Sequence, residues 1–129
     1  MPVYHSVPTA ATPVGPFCHA TEADGWVMLT GQMPTWPGDP DRPIPDGVAA
    51  QTERVLDNLK LVLDGVGLSL SDVVQCRCYL TEFKRDFAAF NAVYMGYFPE
   101  GVRPARTTIG VTALAVDALV EIDMLARRP

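Results

Sequence analysis

The stretch Arg103-Pro-Ala-Arg-Thr-Thr-Ile-Gly-Val111, followed by Thr112–Ala118 and then Leu119-Val-Glu-Ile-Asp-Met-Leu125, reads as two strands joined by a loop. A period of two puts Arg106, Thr108 and Gly110 on one face of the first strand and Thr107, Ile109 and Val111 on the other. In the second strand it sets Glu121 and Asp123 against Val120, Ile122 and Met124. An ionic group in so apolar a strand costs free energy unless it is paired or used. Arg106 and Glu121 are therefore the first candidates for a functional site. A guanidinium is a rigid fork suited to two-point binding of a carboxylate. A carboxylate among aliphatic neighbours is either ion-paired or kept for proton handling and water positioning. If the two strands lie near one another, Arg106 and Glu121 flank one cavity. Asp123, nearer the strand end, reads as solvated or paired.

Working back from that stretch, Lys84 to Phe98 reads as a helix. Its aromatic residues Phe83, Phe87, Phe90, Tyr94 and Tyr97 recur in steps of four, three, four and three, the spacing of a face packed on a sheet. Val73–Leu80 alternates as a strand, with Cys76 and Cys78 on the face opposite Gln75, Arg77 and Tyr79. Val48 to Asp64 carries a helical stripe of Val48, Val55, Leu59 and Val62, with Leu56 and Leu63 beside it. Asp46 is the expected N-cap and Gly65 and Gly67 the stop signals. Phe17–Thr21 and Trp26–Thr30 read as strands around a turn at Asp24-Gly25, and residues 3–7 as a further extended piece. The loop Thr35–Gly47 is long and contains four prolines, which suits a surface excursion or lid.

The element order is thus three strands, a helix, a strand, a helix and two strands. Two helices on one face of a mixed sheet leave the other face open. Arg106, Glu121 and one of Cys76 or Arg77 are expected on that open face, whose apolar content predicts burial in a homo-oligomer. At 129 residues and 48% apolar content the chain fits a single domain, 1–129, with a real core. A net charge of −5 with no Lys/Arg-rich run argues against nucleic acid as a partner. No apolar run approaches the roughly 20 residues of a membrane span, and Met1-Pro-Val-Tyr-His lacks the pattern of a signal peptide. Three cysteines, with no Cys-x-x-Cys, favour reduced thiols and a cytoplasmic setting. They give no zinc ligand set, and no metal site is expected. His5 and His19 stand in no nucleophile motif, and no phosphate or dinucleotide fingerprint is present.

The chain resembles the Rid family (YjgF/UK114), the reactive-intermediate imine/enamine deaminases. The resemblance lies in Gly15-Pro-Phe17, Thr30-Gly-Gln32, Gln51 through Leu56-Asp-Asn58, Phe87-Ala-Ala-Phe-Asn91 with Tyr94, Pro104-Ala-Arg-Thr-Thr108 and Val120-Glu-Ile-Asp123. Each motif is weak alone, and their order and spacing together are specific. The resemblance implies an α+β, chorismate-mutase-like fold assembled as a homotrimer with clefts between subunits. It implies hydrolysis of 2-imino or 2-enamino acids, of the 2-aminoacrylate/2-iminopropanoate type, to a 2-keto acid and ammonia, with no cofactor. It further implies that Arg106 clamps the substrate carboxylate with help from the Thr108 backbone N–H, and that Glu121 positions the attacking water. Phe17, Gly31 and Asn91 match cavity-lining positions. Two positions depart from the family pattern: Phe17 stands where active deaminases usually have tyrosine, and Thr108 where they commonly have cysteine or serine. The Thr35–Gly47 loop, with Trp36, is placed to narrow the cleft. The competing readings are a non-catalytic or chaperone-like binder of small carboxylates and a pathway-specific deaminase of a larger acid such as an aminomuconate. Ribonuclease activity, attributed to some relatives, is disfavoured by the acidic balance and the lack of a histidine acid/base pair.

Overall fold

The alternating residues Val73–Leu80 form strand β4, and the strands that carry Arg106 and Glu121 are both paired to it. The computed structural model describes residues 1–129. Around β4 run β1 (Val3–His5), β2 (Ala20–Ala23), β3 (Trp26–Gln32), β5 (Ala105–Gly110) and β6 (Val120–Arg127), with helices α1 (Val48–Gly65) and α2 (Phe83–Tyr97). The six strands make one mixed sheet in the order β1-β2-β3-β6-β4-β5. Only β4 and β5 pair parallel, because α2 carries the chain back between them. The fold is the expected α+β arrangement, and the elements follow one another in the expected order.

Local chemistry explains the main boundaries. Asp24 and Gly25 have φ of 52° and 80°, the paired left-handed conformations of a two-residue hairpin turn joining β2 to β3. Helix α1 ends where Gly67 takes φ 77°, with Leu68 N–H donating to Leu63 C=O and Gly67 N–H to Asp64 C=O. That bond pair satisfies the last carbonyls of the helix. At the other end Gly47, not Asp46, occupies the cap position, and no side chain caps the helix. The Phe17–His19 segment is not strand; the ladder of β2 begins at Ala20. His19 instead turns inward, accepting from Val7 N–H at Nδ1 (2.9 Å) while Nε2 bonds Ala11 C=O (2.8 Å).

Both helices cover one face of the sheet. The α1 stripe is fully buried at Val55, Leu56, Leu59 and Val62 against Val27 and Leu29 of β3 and Val120, Ile122 and Met124 of β6. Each such side chain contributes about 1.5–3 kcal/mol by leaving water. Cys76 and Cys78 face the same core, and burial pushes their thiols up to about 11 and about 12. They are packing groups, not reactive thiolates. The opposite face carries Trp26 and Met28, each 43% exposed, beside half-buried Tyr79 and Leu125.

Three polar side chains brace the ends of the sheet and the long loop. Glu22 accepts a two-point bond from Arg128 (2.6 and 2.8 Å) and bonds His5 (2.9 Å), joining β1, β2 and the end of β6. The Arg128 bonds, then the His5 bond, hold its carboxyl down at about 2. Gln51 donates to Pro45 C=O and accepts from Leu119 N–H, tying the loop's return to the start of β6. Asn58, fully buried on α1, donates to Met33 C=O (2.9 Å) and Thr35 C=O (2.8 Å) and accepts from Arg54 Nε. Asn58→Leu leaves both carbonyls without a donor. The expected result is a loss of about 2–4 kcal/mol, read as a lower urea midpoint at unchanged slope. Trp36 does not close over the Glu121 side of the sheet, as a lid would. It folds onto α1, with Arg42 stacked at 3.7 Å and Arg54 at 5.1 Å, and donates Nε1–H to Pro43 C=O.

Candidate active site in two halves

Arg106 sits on β5 in register with Cys76, so its side chain points toward α2 and not to the open face expected for it. There its guanidinium lies among three rings of the aromatic stripe, 4.6 Å from Tyr94, 5.2 Å from Phe90 and 5.9 Å from Phe87. Its Nη2 donates to Asn91 Oδ1 at 2.8 Å. Aromatic faces attract a cation and fix its plane, so the stripe is a cradle for Arg106 as well as a packed helix face. A cavity of about 290 Å³ opens in front of it, lined by Asn91, Tyr94, Met95, Arg103, Pro104 and Arg106. No acidic residue lines that cavity, and Arg106 takes part in no ion pair.

Thr108 shares the face of Arg106. Its Oγ1 and the Tyr94 Oη are both buried without a hydrogen-bond partner within the chain. Val111 N–H donates back to Leu80 C=O, which sets the alternation along this parallel pair. By that alternation the N–H groups of Arg106 and Thr108 point away from β4, off the free edge of the sheet. The expected Thr108 donor is thus directed outward.

Glu121 is elsewhere. It sits on β6 in register with Tyr79, on the face away from the helices. Neighbouring Asp123 is fully engaged, accepting from Arg77 Nε (2.9 Å) and Tyr79 Oη (3.1 Å). Glu121 has no such partner, and its half-buried carboxyl is pushed above the usual carboxylate range by burial first and by the Asp123 charge second. The register of β3 and β6 slips between Leu29 and Gln32, and Gly31 lies in that bulge. A Cβ on Gly31 would fall on Glu121 Oε2, with Cδ at 3.0 Å and Cγ at 3.2 Å. Gly31 therefore makes the room that Glu121 occupies. A shallow hollow beside it is walled by Val14, Phe17, Gly31, Gln32, Met33 and Thr35, with Phe17 44% exposed at its rim.

The candidate residues thus fall into two groups. Arg106, Asn91 and Thr108 lie together under α2; on the other side of the sheet Glu121 lies against Gly31, which shares a hollow with Phe17. Strand β4 separates β5 from β6, so within one chain Arg106 and Glu121 flank no common cavity. Sequence reasoning missed Arg103 and the cradling role of the aromatic stripe. Arg103 lies in a loop with no period to mark it, and cradle and packed face share one spacing. No group of three His, Cys, Asp or Glu side chains converges to hold a metal ion.

This constellation can be set beside known proteins. The family model for endoribonuclease L-PSP matches residues 8–128. The chain belongs to the Rid/YjgF/L-PSP family. A RutC family protein of Pyrococcus horikoshii is 37% identical over 117 residues, covering 91% of this chain and 90% of that protein. The 2-iminobutanoate/2-iminopropanoate deaminase of Escherichia coli is 31% identical over 121 residues, covering 92% of each. Among solved structures, the Rid protein YyfA of Yersinia pestis superposes with a TM-score of 0.91 at 29% identity, over 99% of this chain and 100% of that one. The Escherichia coli protein TdcF with bound serine gives a TM-score of 0.88 at 29% identity, over 98% of each chain.

Proposed function

We propose that this Rid-family chain is a hydrolytic deaminase of 2-imino and 2-enamino acids, and that its site is completed between two copies of the chain in a homotrimer. The observation that carries the reading is the division of the site. A cationic half and a carboxylate half lie on opposite faces, each with its charged group in no ion pair. The open face with Trp26 and Met28 supplies an apolar surface beside the carboxylate half for a neighbouring copy. The deaminase relative and the serine-bound neighbour support a small substrate bearing a carboxylate.

In this scheme Arg106 grips the carboxylate of the substrate with its two-pronged edge, while Asn91 holds the guanidinium plane and the Thr108 N–H adds a donor. Glu121 of the neighbouring copy accepts a proton from water as its oxygen bonds to C2. The C=N electron pair moves to nitrogen, which takes a proton. The tetrahedral carbinolamine then collapses: the C–N bond breaks, ammonia leaves, and the C2 hydroxyl proton is given up as C=O forms. One imine and one water yield one 2-keto acid and one ammonia. The imine carbon is already electrophilic, so positioning water against a clamped substrate supplies the acceleration.

Mixing is the direct test. Arg106→Met and Glu121→Gln should each be inactive alone. Co-refolded at equal amounts, they should regain about one quarter of wild-type sites, since a random trimer pairs an intact arginine with an intact neighbouring glutamate that often. No regain over the separate variants would reject the shared site. The pH profile gives a second check. Because Glu121 must be ionised and its pKa is raised, kcat/KM should fall on the acid side through a value above the ordinary 4.5 of glutamate. An acid limb at or below that value would remove Glu121 as the base.

A further inference from the structure

The Arg106 cavity holds a second guanidinium that the deaminase scheme does not use. Of its six lining residues two are arginines, Arg103 and Arg106, and none is acidic. The four ion pairs of the chain join His5 and Arg128 to Glu22, Arg77 to Asp123 and Arg85 to Asp86; neither cavity arginine has an acidic partner. In a chain with 15 acidic and 10 basic residues, acidic partners are in excess. Two like charges in one cavity repel unless an anion lies between them.

Arg103 is also anchored. Its Nε donates to Phe98 C=O at 2.9 Å, at the C-terminal cap of α2. That bond fixes one edge of the guanidinium and leaves the two Nη groups uncommitted. Pro104 holds the backbone between the arginines out of the helical region. Three residues of extended chain separate their Cα atoms by roughly 10 Å, so two long side chains can grip opposite ends of one short molecule. Tyr94 and Met95 line the same cavity.

We propose that the cavity selects 2-imino acids carrying a second acidic group, Arg106 taking the carboxylate next to the imine and Arg103 the distal one. The inference rests on the reading of Arg106 as a carboxylate clamp and names its substrate class. Product-shaped probes test it on the assembled full chain by titration calorimetry, with 2-oxoglutarate as the diacid and 2-oxobutanoate as the monoacid. Wild type should bind the diacid at least about tenfold tighter. Arg103→Met should bring the two affinities within about twofold, and Arg103→Glu should place the monoacid ahead. Lys84→Met removes the same charge from an exposed position outside the cavity and should keep the wild-type ratio. Equal affinities in wild type, a preference that survives Arg103→Met, or one lost equally in Lys84→Met would overturn the proposal. In each of those cases the clamp itself still stands if Arg106→Met weakens both acids. Failure of wild type to bind either acid would reject the clamp and this proposal together.

Discussion

Replacing Arg106 by methionine is expected to lower release of 2-keto acid from an enzymatically generated imino acid by about 100-fold or more, with the oligomer and the melting temperature little changed. The size follows from removing a donor pair aimed at a substrate charge, a change of several kcal/mol. Methionine keeps an apolar stem against Phe87, Phe90 and Tyr94, so the packing under α2 should survive. Arg106→Lys is not a mild change, because an ammonium keeps the charge and loses the fork that faces both Asn91 and the carboxylate. Lysine should recover less than a tenth of the lost activity. Steady-state kinetics beside a thermal melt decide the matter, and wild-type rates in Arg106→Met would refute the clamp. Binding of 2-oxobutanoate without turnover in wild type would favour the non-catalytic reading.

The second large effect is expected from a single methyl group. Gly31→Ala should reduce kcat about 10- to 100-fold while leaving the fold intact. Gly31 has no positive φ, so alanine strains no backbone there. The three atoms nearest the added Cβ all belong to Glu121, whose carboxylate must swing away from its position over the bulge. The diagnostic is non-additivity: in a Glu121→Gln background, Gly31→Ala should cost almost nothing further, because the group it displaces is already disabled. Full additivity would mean that Gly31 acts through something other than Glu121.

Much of the fold was legible because periodicity is local. The stripe from Val48 to Leu63, the alternation of Val73–Leu80 and the Asp24-Gly25 turn each fix an element by rules that need no distant partner. Arg106 shows where that reach ends. A period of two states which residues share a face, not which face the helices cover. The β4–α2–β5 crossover placed Arg106 beneath α2, while Glu121 kept the outer face through the antiparallel pairing of β6 with β4. Phe17–His19 alternated plausibly, yet His19 found backbone partners in Val7 and Ala11 and left the sheet. Asp46 lost the cap position because Gly47 takes φ 83° and turns the chain first. Arg103 carried no signal, since a loop cation becomes meaningful only when the fold closes a cavity around it.

The unpaired carboxylate of Glu121 has a thermodynamic counterpart. A group whose pKa is raised by folding favours the native state below its unfolded pKa, and that advantage is lost as pH rises through the folded value. At neutral pH the native state therefore holds Glu121 ionised at its own expense, beside a like charge and half out of water. Glu121→Gln should melt higher than wild type at pH 7, and the gap should close in acid. Under the proposed mechanism a residue needed for turnover is thus one the fold would be more stable without, and selection for heat resistance alone would be expected to discard it.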